Sequence, residues 1–275
     1  DKLNVLLHRD KNAEIELDLR YFQHFDFDTA QMFSGQLTAL LGQSRNHNDA
    51  IEQHHFDIAA SLQEITESYL ISAVKWLKSE IDCPNLCLSG GVIMNSVFNG
   101  RIAAEQVFEN IYVPFAPDDS GNSIGAALWT AFRSDQYIQQ EAAANPFLGR
   151  AYTDAEIENQ LEASNLRIEP KKDIITTTAD LLDQGKIVGW FQGRMEFGPR
   201  SLGGRSILGD PRLEKMQKTL NLKVKYRESF RPFAPSVLRE DLTEWFDIDY
   251  DSPYMLLVGK VKESKRIKMT SEEKA

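Results

Sequence analysis

The sequence is short of the residues on which several common functions depend. It has two cysteines, Cys83 and Cys87, and the three residues between them differ from the two-residue gap of zinc knuckles and redox pairs. No apolar run approaches the length of a transmembrane helix, and the charged first residues are untypical of a signal peptide. We therefore expect buried structural thiols, a reducing cytoplasmic location and no membrane partner.

Histidine is absent from most of the chain. All five histidines precede residue 56, and no Gly-x-Ser-x-Gly motif occurs. The adjacent His54 and His55 lack the HxxxH spacing that places two imidazoles on one helical face, so they are predicted to be surface residues at a helix start. The sequence therefore does not support a serine or cysteine nucleophile.

Charge is unevenly distributed along the chain. The net charge of −10 disfavours a nucleic-acid partner, which normally needs a basic face. Between Arg194 and Arg231, however, ten lysines and arginines accompany only four acidic residues, a local charge of +6. A basic segment of this size in an acidic chain requires a specific reason.

The order of predicted elements is that of an α/β protein. A hairpin and a short helix near residues 29–41 precede a long amphipathic helix, in which Ile58, Leu62 and Ile65 recur at helical spacing. A domain boundary is expected near residues 140–155, before a helix capped by Thr153. The other predicted elements are a strand at 86–88, a helix from Val92, a strand at 111–113, a helix at 125–133, a helix ended by Gly185 and a strand at 187–191.

Two loops follow predicted strands, where α/β proteins bind ligands. The first contains Gly90 and Gly91 before a helix start, where free backbone N–H groups favour an anion or a nucleotide; a tight turn that needs positive φ is the alternative. The second contains Asp118 and Asp119, either of which could ligate a metal or hold a ribose or phosphate through water. Its alternative is a solvated turn that caps a helix, and the residues alone leave both questions open.

The segment GWFQGRMEFGPRSLGGRSILGDPR is more specific. Arg194, Arg200 and Arg205 alternate with glycines, and a guanidinium group matches phosphate or carboxylate oxygens with two parallel hydrogen bonds. Glycines between the arginines allow a ligand to be held from several sides, and Glu196 is placed to orient one guanidinium or to neutralise the empty pocket. Because solvated basic faces are usually built from helical Lys and Glu, this pattern predicts a pocket for a small anion.

A second basic segment, NLKVKYRESFRPFAPSVL, follows. Its alternation predicts a β-like stretch with Lys223, Lys225 and Arg227 on one face. Arg231 begins a stiff Arg-Pro-Phe-Ala-Pro run, since each proline fixes its own φ angle. This segment is predicted to supply further cations.

The strings GRMEFGPRSLGGRSILGDPR and KVKYRESFRPFAPSVL, with LCLSGGVIMNSVFNGRI and VPFAPDDSGNSIGAAL upstream, closely resemble the O-carbamoyltransferase family of nodulation-factor and antibiotic-tailoring enzymes. The resemblance runs over nearly the whole chain. It implies an α/β fold in which residues 1–148 are the second half of a sugar-kinase/actin-like ATPase domain that performs carbamoyl transfer. Residues 149–275 are then an incomplete α+β YrdC-like domain that binds carbamoyl phosphate.

The resemblance also implies a two-step reaction. Carbamoyl phosphate and ATP, with Mg²⁺, form carbamoyladenylate, and the carbamoyl group then passes to a small-molecule or sugar hydroxyl while AMP leaves. Forming such an adenylate concentrates negative charge, which preorganised cations stabilise.

The same resemblance implies roles for particular residues. The nucleotide-binding positions are Gly90, Gly91, Val92, Asn95 and Gly121. The basic positions around carbamoyl phosphate and the adenylate are Arg194, Arg200, Arg205, Lys225, Arg227 and Arg231, and the sequence does not rank them. Asp119 matches a carboxylate that holds a metal, Fe²⁺ or another divalent ion, together with histidines.

The chain departs from the family pattern in several places. The family's metal-binding histidine pair has no counterpart in it, and the Thr-Ser-Phe-Asn stretch usual near the end of the YrdC-like domain is missing. Ser201 and Gly204 stand where the family usually has alanine and asparagine. The chain is therefore expected to be the middle of a longer enzyme, able to bind anions but with little or no turnover by itself.

Two alternative functions remain. A related hydrogenase-maturation carbamoyltransferase modifies a protein cysteine, but it carries zinc-finger regions and this chain has no Cys-x-x-Cys. A non-catalytic nucleotide- or phosphate-binding module would bind the ligands and release no pyrophosphate.

Overall fold

A computed structural model describes residues 2–10, 14–46, 48–134 and 145–267. Within these ranges the protein is a mixed α/β structure with small sheets, which agrees with the predicted class. None of the helices in the described ranges combines the length and the apolar character that crossing a bilayer requires.

Short strands and helices alternate along the chain. The strands are β1 (Leu7–Arg9), β2 (Ile15–Leu17), β3 (Asn85–Cys87), β4 (Asn110–Tyr112), β5 (Val188–Phe191) and β6 (Arg205–Leu208). The α-helices are α1 (Gly35–Leu41), α2 (Gln53–Glu80), α3 (Ser96–Glu105), α4 (Asn122–Arg133), α5 (Asp154–Ala163), α6 (Ile174–Asp183), α7 (Met216–Thr219) and α8 (Leu242–Trp245). Short 3-10 helices occupy Lys2–Val5, Leu19–Tyr21, Gly91–Met94, Asp119–Gly121, Arg239–Asp241 and Glu263–Lys265.

Local sequence signals explain where several helices begin and end. Ser34 caps α1, because its Oγ accepts the N–H of Gln36 at 3.2 Å, and the helix therefore starts later than predicted. Thr153 and Glu156 form a capping box at α5, with their reciprocal hydrogen bonds at 3.3 and 2.9 Å. Gly185 after α6 has a φ of +74°, which confirms the expected left-handed residue.

The strands pair in twos. β1 pairs antiparallel with β2, β3 is hydrogen-bonded to β4, and β5 pairs antiparallel with β6. In the last pair Val188 lies opposite Leu208 and Phe191 lies opposite Arg205, so the arginine-rich segment is the connection of a hairpin. The sugar-kinase-like and YrdC-like architecture stays a prediction, because these small sheets do not identify it.

The chain forms two compact units. The first holds residues up to Leu86 together with Ile102–Ile111, and the second holds Cys87–Arg101 and the chain from Tyr112 onward. The domain boundary predicted between residues 148 and 149 lies inside the second unit and stays a prediction about the family architecture. The core of the second unit includes Ile93, Phe98, Val113, Phe115, Met216, Leu220, Tyr254 and Leu256.

The β-like stretch predicted for Lys223, Lys225 and Arg227 is wrong. Leu220–Val224 forms a π-helical turn that continues from α7. The reason lies in the apolar spacing, since Met216 and Leu220 are both buried and lie one helical turn apart.

The expectation of two buried thiols is also wrong. Cys87 is exposed and Cys83 is half-buried. In β3 only the central Leu86 is buried, because successive side chains of a strand point to opposite faces.

Candidate functional site

The arginine-glycine loop, residues 192–204, folds around the buried carboxylate of Glu196. Its Oε1 accepts hydrogen bonds from the backbone N–H groups of Leu202 at 2.6 Å and Gly204 at 2.7 Å. Its Oε2 lies 3.3 Å from Nε of Arg205, an ion pair without hydrogen-bond geometry. One carboxylate thus shapes the loop and pairs with the guanidinium of Arg205, which agrees with the first of the two roles predicted for Glu196.

Gly198 brings the arginine-glycine loop against the acidic loop, residues 114–122. The φ of Gly198 is +102°, and a Cβ there would lie 2.9 Å from the carbonyl oxygen of Phe115 and 3.2 Å from Cβ of Ala116. Glycine is therefore needed both for the backbone conformation and for the close approach. The carbonyl of Gly198 also accepts a hydrogen bond from Nη2 of Arg205 at 2.9 Å.

The glycine turn, residues 89–91, lies against the same acidic loop. The carbonyl of Pro117 accepts hydrogen bonds from the N–H of Gly90 at 2.6 Å and from the hydroxyl of Ser89 at 3.2 Å. Gly90 has a φ of +112°, so a tight turn does require glycine here. A Cβ on Gly90 or Gly91 would meet no atom of the described residues within 4 Å, which leaves room for a ligand beside the turn.

Helix α3 starts at Ser96, after the 3-10 helix Gly91–Met94 that follows the glycine turn, and two asparagines hold it in place. Asn95 Oδ1 accepts the N–H of Phe98 at 3.2 Å and so satisfies one of the first N–H groups of the helix. Asn99 has no exposed surface, and its Nδ2 donates to the carbonyls of Ile93 at 2.7 Å and Leu256 at 2.8 Å. These bonds fix the position of the helix start relative to the turn.

Arg200 contains a buried hydrogen-bond donor that has no acceptor among the described residues. The residue is half-buried, its Nε is fully buried, and Nε makes no hydrogen bond within the described ranges. A buried donor without an acceptor costs about 1–3 kcal/mol, and more when the group is charged. An anionic ligand beside Arg200 would supply the missing acceptor.

Burial and hydrogen bonding shift the pKa of Glu196 in opposite directions. Burial raises the pKa of its carboxyl, but the hydrogen bonds from backbone N–H groups, including those of Leu202 and Gly204, and the charge of Arg205 outweigh burial. The pKa therefore lies below its ordinary value of 4.5. The stability that this carboxylate contributes is present above pH 4.5 and is lost as the pH falls through the lowered pKa.

Glu196→Gln is expected to destabilise the protein by about 1–3 kcal/mol at pH 7, because the backbone donors lose a charged acceptor. The difference from the unchanged protein should shrink as the pH falls below 4.5, where the protonated carboxyl resembles the amide. Urea denaturation between pH 3 and 7 measures this. Glu228→Gln is the control, because Glu228 forms an exposed ion pair and its loss should cost less than about 1 kcal/mol. A difference for Glu196→Gln that is independent of pH would contradict the assignment.

The basic loop, residues 221–233, is organised by Asn221, which has no exposed surface. Its Oδ1 accepts a hydrogen bond from Nε of Arg227 at 2.7 Å. Its Nδ2 donates to the carbonyls of Ser229 at 3.0 Å and Arg231 at 2.8 Å. A single buried amide therefore links both sides of the loop to one guanidinium.

The predicted cations fall into two groups. Arg194, Arg200 and Arg205 lie in or beside the arginine-glycine loop, whereas Lys225, Arg227 and Arg231 lie in the basic loop. The first group is connected through the acidic loop to the glycine turn. No hydrogen bond or ion pair joins the two groups within the part of the chain that the structure describes. One pocket that contains all of these cations stays a prediction.

The remaining predicted positions lie in or beside the glycine turn and the acidic loop. Val92 is exposed beside the glycine turn, and Asp119 is exposed at the start of a 3-10 helix. Gly121 is required by the loop itself, because a Cβ there would lie 2.1 Å from the carbonyl oxygen of Ala116. Across the described ranges no group of three or more His, Cys, Asp or Glu side chains is arranged to hold a metal. The residues around Asp119 therefore do not by themselves fit a metal, and we derive no step through one.

Two sequence models of one protein family match the chain. The model described as "Carbamoyltransferase N-terminus" matches residues 3–128, and the model described as "Carbamoyltransferase C-terminus" matches residues 179–272. The chain belongs to the carbamoyltransferase family. In this family member the first match contains the glycine turn and the acidic loop, and the second contains both groups of cations.

Several longer proteins are similar to this carbamoyltransferase family member. An uncharacterized protein of Synechocystis sp. is 42% identical over 98% of the chain and 45% of its own length. Nodulation protein NolO of Bradyrhizobium diazoefficiens is 37% identical over 81% of the chain and 42% of its own length. The 3'-hydroxymethylcephem-O-carbamoyltransferase of Streptomyces clavuligerus is 30% identical over 81% of the chain and 41% of its own length. The chain thus spans less than half the length of these relatives.

Sequence reasoning does not single out Asn221 or Asn99, although both are fully buried and hold site segments in place. One signal for Asn221 is its position beside Leu220 in an apolar helical run, where a buried polar side chain needs hydrogen-bond partners. The partner of Asn99 at Leu256 lies too far along the chain for any local pattern to reveal it.

Proposed function

We propose that the protein takes part in ATP-dependent carbamoyl transfer, in which carbamoyl phosphate and ATP form carbamoyladenylate and a small-molecule or sugar hydroxyl receives the carbamoyl group. Membership of the carbamoyltransferase family supports the transferred group. The observation that carries the anion site is the buried Nε of Arg200, which lacks an acceptor within the described ranges. A guanidinium group in glycine-rich backbone suits a small phosphorylated anion.

The proposed chemistry balances with one water. Water first attacks the phosphorus of carbamoyl phosphate, and the P–O bond to the carbamoyl group breaks to give phosphate and carbamate. A carbamate oxygen then attacks the α-phosphorus of ATP and the bond to pyrophosphate breaks, which gives carbamoyladenylate and pyrophosphate. In the transfer step the acceptor hydroxyl oxygen attacks the carbamoyl carbon, the bond to AMP breaks and the hydroxyl proton passes to a base. Arg200 and Arg205 would stabilise charge on phosphoryl oxygens, and Glu196 and the carbonyl of Gly198 already orient Arg205 before the reaction begins.

The glycine turn is the proposed nucleotide contact. Its exposed backbone leads into the 3-10 helix Gly91–Met94, and the acidic loop holds it through Pro117. Backbone N–H groups at such a position favour phosphate oxygens. The family resemblance alone supports Mg²⁺ on ATP. It also supports a divalent metal at Asp119, which would need ligands besides those that the described residues bring together.

Pyrophosphate release tests the proposal. The chain and the full-length gene product are each mixed with ATP, with and without carbamoyl phosphate, and binding of carbamoyl phosphate is followed in parallel by calorimetry. We expect the chain to bind carbamoyl phosphate and the full-length protein to release pyrophosphate only when carbamoyl phosphate is present. Binding without release by either protein would indicate a non-catalytic module, and failure of both to bind carbamoyl phosphate would refute the proposal.

A further inference from the structure

Arg227 is constrained on several sides. Its Nε donates to Oδ1 of Asn221 at 2.7 Å, and its backbone N–H donates to the carbonyl of Asn221 at 3.0 Å. Its guanidinium carbon lies 5.0 Å from the ring centroid of Phe233, within the range of a cation–π contact. The Nη1 and Nη2 groups make no hydrogen bond within the described ranges, so the edge of the guanidinium that binds anions with two parallel bonds is unused.

The other cations of the basic loop are arranged differently. Arg231 forms an ion pair with Glu228, with Nε 2.7 Å from Oε2, and both side chains are about half exposed. Exposed pairs of this kind contribute little to stability and partly neutralise the cation. Lys225 is exposed, and its ammonium group has no hydrogen bond or ion pair to any described residue. Of these cations, Arg227 is the one that is hydrogen-bonded to a fully buried side chain.

The backbone around Arg227 is strained as well as braced. Tyr226 has a φ of +49°, a conformation that is unfavourable for an aromatic residue. Such strain persists only where surrounding contacts impose it, and here Asn221 is bonded to the residues on the C-terminal side of the turn. The three side-chain hydrogen bonds of the buried Asn221 amide therefore maintain the geometry of one small loop.

We infer that Asn221 and Phe233 are positioning residues that hold the guanidinium of Arg227 so that its two Nη groups meet the oxygens of a phosphoryl group. The inference rests on the proposed function and deepens it, because it ranks Arg227 above Lys225 and Arg231 in the basic loop. A guanidinium that is already oriented loses less freedom on binding, so removing its supports should weaken affinity even though neither residue touches the ligand.

A double-mutant cycle on the 275-residue chain separates this role from a merely structural one. Calorimetry with carbamoyl phosphate should show that Arg227→Ala weakens affinity tenfold or more and Asn221→Ala fivefold or more. The double variant should bind within twofold of Arg227→Ala, because Asn221 acts through Arg227. Gln217→Ala is the matched control. Gln217 Nε2 donates to the same Arg231 carbonyl at 3.2 Å and makes no hydrogen bond to Arg227, so the replacement should weaken carbamoyl phosphate affinity less than twofold.

A spectroscopic readout accompanies the cycle. The Nε–H signal of Arg227 in ¹⁵N-labelled protein, assigned by its absence in Arg227→Lys, should exchange slowly with water in the unchanged chain and in Gln217→Ala. It should exchange rapidly in Asn221→Ala. If Asn221→Ala does not fold, Phe233→Leu takes its place, with an expected threefold or greater loss of affinity that disappears in the Arg227→Ala background.

The outcomes separate the positioning role of Asn221 from the proposed binding of carbamoyl phosphate. The positioning role would be overturned if Asn221→Ala weakened carbamoyl phosphate affinity equally in the unchanged chain and in the Arg227→Ala chain. An Nε–H signal of Arg227 that exchanges rapidly in the unchanged chain would overturn it as well. The titrations are repeated with inorganic phosphate. Binding of phosphate but not of carbamoyl phosphate by the unchanged chain would overturn the proposed substrate, while the coupling between Asn221 and Arg227 would still be measured with phosphate.

Discussion

Arg200→Met is expected to weaken carbamoyl phosphate binding at least tenfold, equivalent to about 1.4 kcal/mol, while the melting temperature stays the same or rises. The buried Nε of Arg200 has no acceptor within the described ranges, so the folded protein already bears the cost of an unpaired donor. Methionine keeps much of the apolar stem and removes that donor. Calorimetry and thermal denaturation of the same preparations measure the two effects.

Arg167→Met is the matched control for Arg200→Met. Arg167 is exposed, is paired with Glu169 and lies outside the site segments, so its replacement should change affinity less than threefold. Loss of affinity together with a large drop in melting temperature would show instead that Arg200 supports the fold. Unchanged affinity would remove Arg200 from the binding site.

Gly100→Ala is expected to destabilise the protein by about 3 kcal/mol or more, or to prevent folding. A Cβ at Gly100 would lie 2.1 Å from the carbonyl oxygen and 2.9 Å from the nitrogen of Val258, and both are backbone atoms. Relieving this clash would require the segment around Val258 to move away from α3, which would break the hydrogen bond between Asn99 and Leu256. Chemical denaturation monitored by tryptophan fluorescence provides the measurement.

Gly125→Ala is the control for Gly100→Ala, since both glycines lie in helices. A Cβ at Gly125 in α4 would meet no atom of the described residues within 4 Å. Alanine has the higher helix propensity, so the free energy of unfolding of this variant should rise by about 0.5–1 kcal/mol. Similar destabilisation by both replacements would show that the contact between Gly100 and Val258 does not explain the first effect.

The features that the sequence predicts well are those encoded within a few residues. The long helix α2, the helix N-cap at Thr153 and the left-handed Gly185 each depend on neighbours along the chain. The sequence also predicts two alternative roles for Glu196, and its ion pair with Arg205 agrees with one of them.

The features that the sequence does not predict depend on contacts between distant segments. Nothing near Gly198 indicates that its backbone meets Phe115, and nothing near Asn99 indicates a bond to Leu256. The basic loop was predicted as a β-like stretch because Lys223, Lys225 and Arg227 alternate. The burial of Leu220 and Asn221 instead turns the chain into a helical turn. Periodicity over so few residues is a weak signal against tertiary packing.

The bond between Asn99 and Leu256 joins residues 157 positions apart, and this has a consequence for biosynthesis. While the ribosome is still making the second half of the chain, the amide of Asn99 lacks one of its carbonyl acceptors. The backbone of Gly100 likewise waits for its close contact with Val258. Closing so long a loop costs entropy before any contact forms, so this step is expected to be slow. Helix α3 therefore reaches its final packing only after the segment around Leu256 has been synthesised.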